Sequence, residues 1–96
     1  MIEVRATPEY DAWFDGLRDT KARQRVQIRI RRISLGNFGD VKPVGQGVSE
    51  LRIPYGPGYR VYFVRRGAVI LLTGGTKDTQ PKDIRLAKTL AGQLED

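Results

Sequence analysis

Apolar residues recur along the chain with two periods, and the switches between them mark the elements. Residues 2–6, IEVRA, alternate apolar and polar and predict a strand. Thr7-Pro8-Glu9 predicts a helix start: Thr7 can cap, Pro8 suits the first helical position, and Glu9 and Asp11 favour the positive helix end. Tyr10, Trp13, Phe14 and Leu17 follow at spacings of three and four, a core stripe on a helix ending around 16–18. Asp19 or Thr20 caps a second helix over about 20–35, with Ala22, Val26, Ile30 and Ile33 as its apolar stripe and Gly36 as its stop. So short a connection predicts an antiparallel helical hairpin.

Residues 36–47, GNFGDVKPVGQG, carry no clear period and are rich in Gly and Pro, so they read as a loop. Strands are predicted at 48–53, 59–65 and 68–73, joined by Tyr55-Gly56-Pro57-Gly58 and by a tight turn near Arg66-Gly67. Gly74-Gly75-Thr76-Lys77-Asp78 then leaves the sheet. A last helix begins near Gln80-Pro81 and carries Ile84, Ala87, Leu90, Ala91 and Leu94. The order β-α-α-β-β-β-α predicts one α+β domain over residues 1–96. Its sheet is four-stranded and antiparallel-rich, with the first strand joining it and the helices packed on it.

Charge changes this picture. Lys and Arg number 17 against 11 Asp and Glu, a formal charge of +6, which favours nucleic acid or an acidic protein as partner. The stretch 18–32 holds seven cations (Arg18, Lys21, Arg23, Arg25, Arg29, Arg31, Arg32) and one acid, Asp19. It reads either as a solvated helix face or as a docking face for phosphates or an acidic peptide. The chain has neither Cys nor His, so disulfides and the usual zinc ligands are absent, and no cofactor is expected. The N-terminus lacks a signal-peptide pattern and the longest apolar run, AVILL, is too short to span a bilayer. A cytoplasmic location is expected.

Candidate chemistry lies in ELRIPYGPGYRVYF, residues 50–63. Alternation puts Leu51, Ile53, Tyr59, Val61 and Phe63 on one side of this hairpin and Glu50, Arg52, Arg60 and Tyr62 on the other. If the apolar set faces the helices, the polar set shares the open face. Paired arginines repel unless an anion belongs between them, and the guanidinium fork matches phosphate oxygens. The alternative is that Glu50 neutralises one arginine and the face is a salt-bridged surface. Among Tyr55, Tyr59 and Tyr62, packing and base stacking are both open. GGTKD lacks the Walker spacing, but it supplies Lys77, a third cation able to fold over the same face.

ELRIPYGPGYRVYF together with LLTGGTKDTQPKDIRLAK resembles the RelE/ParE toxin superfamily, in particular its HigB-like, phage-associated addiction module killer group. The likeness covers nearly the whole chain. It implies a toxin of a type II toxin–antitoxin system, an endoribonuclease that cuts mRNA on the ribosome by 2′-hydroxyl attack without a metal. By the same resemblance Arg52, Arg60 and Lys77 are catalytic. Lys42, Tyr55 and Tyr62 are the candidates for RNA binding, the tyrosines as rings able to stack on a base. The implied partners are mRNA, the ribosome and a helix-turn-helix, HigA-like antitoxin through which operator DNA is reached. The chain departs from the better-studied members in having no His and no Tyr in its last helix, which leaves the general acid open. Two alternatives stand beside the nuclease: a ParE-like gyrase poison, and an inactive toxin serving as an autorepression partner.

Overall fold

Two hydrophobic clusters, one on each face of a five-stranded mixed sheet, organise the α+β fold in the computed structural model, which describes residues 1–94. The strands are β1 (Val4–Ala6), β2 (Val41–Gly45), β3 (Val48–Ile53), β4 (Tyr59–Arg66) and β5 (Ala68–Thr76), in the order β1-β5-β4-β3-β2. The helices are α1 (Pro8–Asp15), α2 (Thr20–Ser34) and α3 (Gln80–Gln93), the last preceded by a 3-10 turn at Lys77–Thr79. Strand β1 pairs parallel with β5, and the other neighbours are antiparallel. None of the helices among the described residues is long and apolar enough to cross a membrane.

The helix stripes behave as their spacing requires. Thr7 caps α1 by accepting from the Tyr10 amide at 3.0 Å, while its hydroxyl donates to the Leu72 carbonyl at 2.6 Å and ties the helix start to β5. Tyr10, Trp13 and Phe14 then pack on the sheet with Ala22, Val26, Ile30 and Ile33 of α2. Asp19 caps α2 through the Lys21 and Ala22 amides. On the opposite face Ala87, Leu90 and Ala91 of α3 bury Tyr62, Val64 and Leu72.

Three expectations are corrected. The 36–47 segment is not all loop: it contains β2, so the sheet has five strands rather than four. Pro43 hid this strand, because proline is tolerated on an edge strand, and β2 is the edge. Gly45 and Gly47, both with positive φ, close the β2–β3 turn. The glycine pair 74–75 does not leave the sheet but continues β5, paired with Val61 and Arg60 of β4, and the helices pack too closely there for a side chain. A Cβ on Gly74 would overlap the Trp13 ring, and one on Gly75 the Asp83 carboxylate. Finally, the polar face of the central hairpin is not open along its length, since α3 covers it over Glu50 and Tyr62.

Candidate functional site

Register builds the site. Strand β3 pairs with β4 so that Arg52 lies opposite Arg60 and Glu50 opposite Tyr62. A bulge at Tyr62/Phe63 shifts the β4–β5 pairing and sets Gly75 opposite Arg60. The row Arg52–Arg60–Gly75 therefore crosses three strands on the α3 face. Residues opposite one another share a face, with Cβ atoms about 5 Å apart. The bare Gly75 position is filled by Asp83 and Thr79, which seats the start of α3 against this row.

Lys77 joins the row from the 3-10 turn. Its amide donates to the Gly58 carbonyl at 2.8 Å, tying the end of β5 to the β3–β4 turn. A Cβ built on Gly58 would lie 3.4 Å from both Arg60 Nη1 and Lys77 Cβ, so the two cationic side chains flank that glycine. Lys42 sits opposite Glu50 on β2, with an exposed side chain. That places it one row along the same face, about 7 Å by strand rise. The structure thus sets Arg52 opposite Arg60, places the Lys77 Cβ beside Gly58, and puts Lys42 on the same face of the edge strand.

The two arginines differ in setting. Arg52 is half exposed and makes an ion pair with Asp40, Nη2 to Oδ1 at 2.8 Å and Nε to the same oxygen at 3.2 Å. The Arg52 hydrogen bond holds the Asp40 carboxyl below its ordinary pKa, and Asp40 raises that of Arg52 in return. Arg60 is mostly buried, its side chain 12 % exposed, with Nε 3.6 Å from Glu50 Oε1. That separation is too long for a good hydrogen bond, and Nε has no other partner. Arg60 Nη1 donates to the Tyr59 carbonyl at 3.3 Å. Arg29 braces the row from the opposite side of the sheet, donating through Nη1 to the Arg52 carbonyl at 2.6 Å.

Two residues assigned to RNA binding lie elsewhere. Tyr62 is fully buried under α3, and its hydroxyl donates to Glu50 Oε2 at 3.1 Å, so its ring is closed to a base. Burial, reinforced by the Glu50 charge, pushes its phenol above the ordinary range, and its place under α3 keeps the hydroxyl from a substrate. Tyr55 faces α2: its hydroxyl donates to Asp19 Oδ2 at 3.0 Å, its ring stacks with Tyr59, and the Arg25 guanidinium lies 4.7 Å from its centroid. The hydrogen bond to Asp19 raises its pKa. Its apolar contacts, not the alternation of β3, decide its side.

Sequence reasoning missed Asp40 and Gln80. Asp40 hides in the glycine-rich segment before β2, where no period marks the strand that brings it beside Arg52. Gln80 Nε2 donates to Glu50 Oε2 at 2.6 Å across 30 residues of chain, a contact no local pattern encodes. A second basic surface runs along α2, where Arg25, Ile28, Arg29 and Arg32 line a groove of about 320 Å³ against Pro54 and Tyr55. Ile28 is half exposed there.

Chemically, the row can hold an anion. Two guanidiniums share the row, with the Lys77 backbone held at its end by Gly58, and Asp40 and Glu50 offset part of their charge. No family model matches the chain. It is 46 % identical over 95 residues to a Haemophilus influenzae protein described as uncharacterized, an alignment covering 97 % of this chain and 96 % of the relative.

Proposed function

The chain belongs to the family of that Haemophilus influenzae protein, and we propose that it is a toxin of a type II toxin–antitoxin module that cleaves mRNA on the ribosome. The carrying observation is the direct opposition of Arg52 and Arg60, with Lys77 beside Arg60. Asp40 and Glu50 offset only part of the repulsion between two guanidiniums in register, and an RNA phosphate between them would offset the rest. In the proposed reaction a ribose 2′-hydroxyl loses its proton and attacks the adjacent phosphorus, the bond to the 5′-oxygen breaks, and that oxygen takes up a proton. The products are a 2′,3′-cyclic phosphate and a 5′-hydroxyl end. The cations stabilise the charge that grows on the non-bridging oxygens, an effect on the scale of several kcal/mol for preorganised donors. Lys77, exposed at the rim, is the candidate for proton transfer, and Lys42 extends the backbone track. The RelE/ParE-like motifs ELR, GYRVYF and GGTKD, which hold Arg52, Arg60 and Lys77, support the same reading.

The antitoxin belongs on α2 in this account. Its groove joins arginines to the exposed Ile28, which suits an acidic segment with an aliphatic anchor. A cytoplasmic location follows from the proposed target. The competing reading, a salt-bridged surface on a gyrase poison or an inactive toxin, draws on the Asp40–Arg52 and Glu50–Arg60 pairs. Induced expression separates the two. Wild type should arrest growth, Arg60→Ala should accumulate folded without arrest, and a fully toxic Arg60→Ala overturns the proposal.

A further inference from the structure

Glu50 is a buried carboxylate to which the phosphate-site reading gives no task. Its side chain is 1 % exposed, in the middle of the sheet face beneath α3. A carboxylate in such a place is costly unless paired and hydrogen-bonded, and apolar residues of similar volume are often neutral or stabilising replacements for buried ion pairs. Glu50 is therefore poorly explained by stability alone.

Its contacts divide by oxygen. Oε2 accepts from both neutral donors, the Tyr62 hydroxyl at 3.1 Å and Gln80 Nε2 at 2.6 Å. Oε1 is left facing Arg60 Nε at 3.6 Å, the nitrogen that has no hydrogen-bond partner of its own. Tyr62 belongs to the sheet and Gln80 opens α3, three residues after Lys77. The carboxylate is thus fixed from both sides, with one charged edge turned to the guanidinium.

We infer that Glu50 is the positioning residue for Arg60: held by Tyr62 and Gln80, it orients the guanidinium so that the edge away from Glu50 meets the RNA phosphate. The inference rests on the proposed nuclease reading for its ligand, but not for its geometry. Because Gln80 and Lys77 share one short segment, the same contact ties Arg60 and Lys77 into one arrangement.

The test reads Arg60 directly. In 15N-labelled protein the Arg60 Nε–Hε signal, assigned by its loss in Arg60→Lys, should stand apart from those of exposed arginines. In Glu50→Gln it should move towards them while the backbone amide spectrum stays folded. Binding is read by anisotropy with a fluorescein-labelled RNA oligonucleotide whose cleavage is blocked by 2′-deoxy substitution. Glu50→Gln should weaken it about tenfold, and adding Arg60→Ala in that background should cost less than about twofold more. Additive losses, or an unmoved Arg60 signal, overturn the inference. If Glu50→Gln does not fold, Gln80→Ala should shift the Arg60 signal the same way, and an unmoved signal there overturns it. If the wild-type protein fails to bind the oligonucleotide, the RNA reading fails, and the Arg60 signal still decides the positioning role.

Discussion

Arg52 and Arg60 lie directly opposite one another on β3 and β4, each with its own carboxylate: Asp40 at 2.8 Å from Arg52 and Glu50 at 3.6 Å from Arg60. The exposed pair is screened by water and weak, whereas Glu50 is buried and held by Tyr62 and Gln80. On the proposed reading, an incoming phosphate takes Arg52 from Asp40 while Glu50 keeps Arg60 oriented.

Binding of single-stranded RNA should weaken steeply with salt. Arg52→Ala, Arg60→Ala and Lys77→Ala should each flatten the plot of log affinity against log salt by about 0.7, the share of one phosphate contact. Asp40→Asn has the opposite sign, because it releases Arg52 from its ion pair, and should tighten binding at low salt. Anisotropy titrations over a salt series check both directions.

Close packing at β5 predicts a contrast between glycines. Gly75→Ala forces a methyl group into the Asp83 carboxylate, and Gly74→Ala into the Trp13 ring. Each should destabilise the fold by about 1–3 kcal/mol, the usual range for overpacking. Gly92 lies in α3 with nothing within 4 Å of its Cβ position. Gly92→Ala should stabilise by up to about 1 kcal/mol. Urea unfolding midpoints measure all three.

Thr7 both caps α1 and donates to the Leu72 carbonyl from a buried position. Thr7→Ala should cost about 1–2 kcal/mol, and Thr7→Ser should recover most of it. A smaller loss for alanine than for serine would contradict the cap.

Acid should loosen the fold through Asp19 and Asp40. The Ala22 amide is the main cause of the lowered Asp19 pKa, and the Arg52 hydrogen bond of the lowered Asp40 pKa. A depressed folded pKa gives stability that is complete above the unfolded value of about 4 and lost as pH falls through the folded one. Thermal midpoints should therefore drop below about pH 4, and less so in Asp19→Asn or Asp40→Asn. At the alkaline end burial raises the Tyr10 and Tyr62 pKa values, so their contribution holds below about pH 10 and fades as pH rises beyond it. Absorbance at alkaline pH should show these phenols ionising together with unfolding.

Much of the fold was legible because its signals are local. The stripes Tyr10/Trp13/Phe14 and Ala22/Val26/Ile30/Ile33 fall on the cluster they were expected to build. Strand β2 was not legible, because Pro43 and three flanking glycines, 39, 45 and 47, match loop chemistry as well as an edge strand. At the site, alternation alone puts Arg52 and Arg60 on one face, but their direct opposition depends on register, which is a tertiary property. The burial of Tyr62 and the Gln80–Glu50 contact depend on where α3 docks, and no spacing in β3 or β4 carries that information. Tyr55 lies in the turn past the end of β3, and its stacking on Tyr59 and bond to Asp19 are tertiary contacts that settle which of the open readings its side chain takes.

Mapping mRNA 5′ ends after in vitro translation tests the central claim most directly. A defined message is incubated with purified wild-type protein or Arg60→Ala, with and without ribosomes. The account predicts new 5′-hydroxyl ends within the translated frame only with ribosomes and wild-type protein, and none with Arg60→Ala. Intact message under every condition would contradict it and return the Arg52–Arg60 row to a salt-bridged surface.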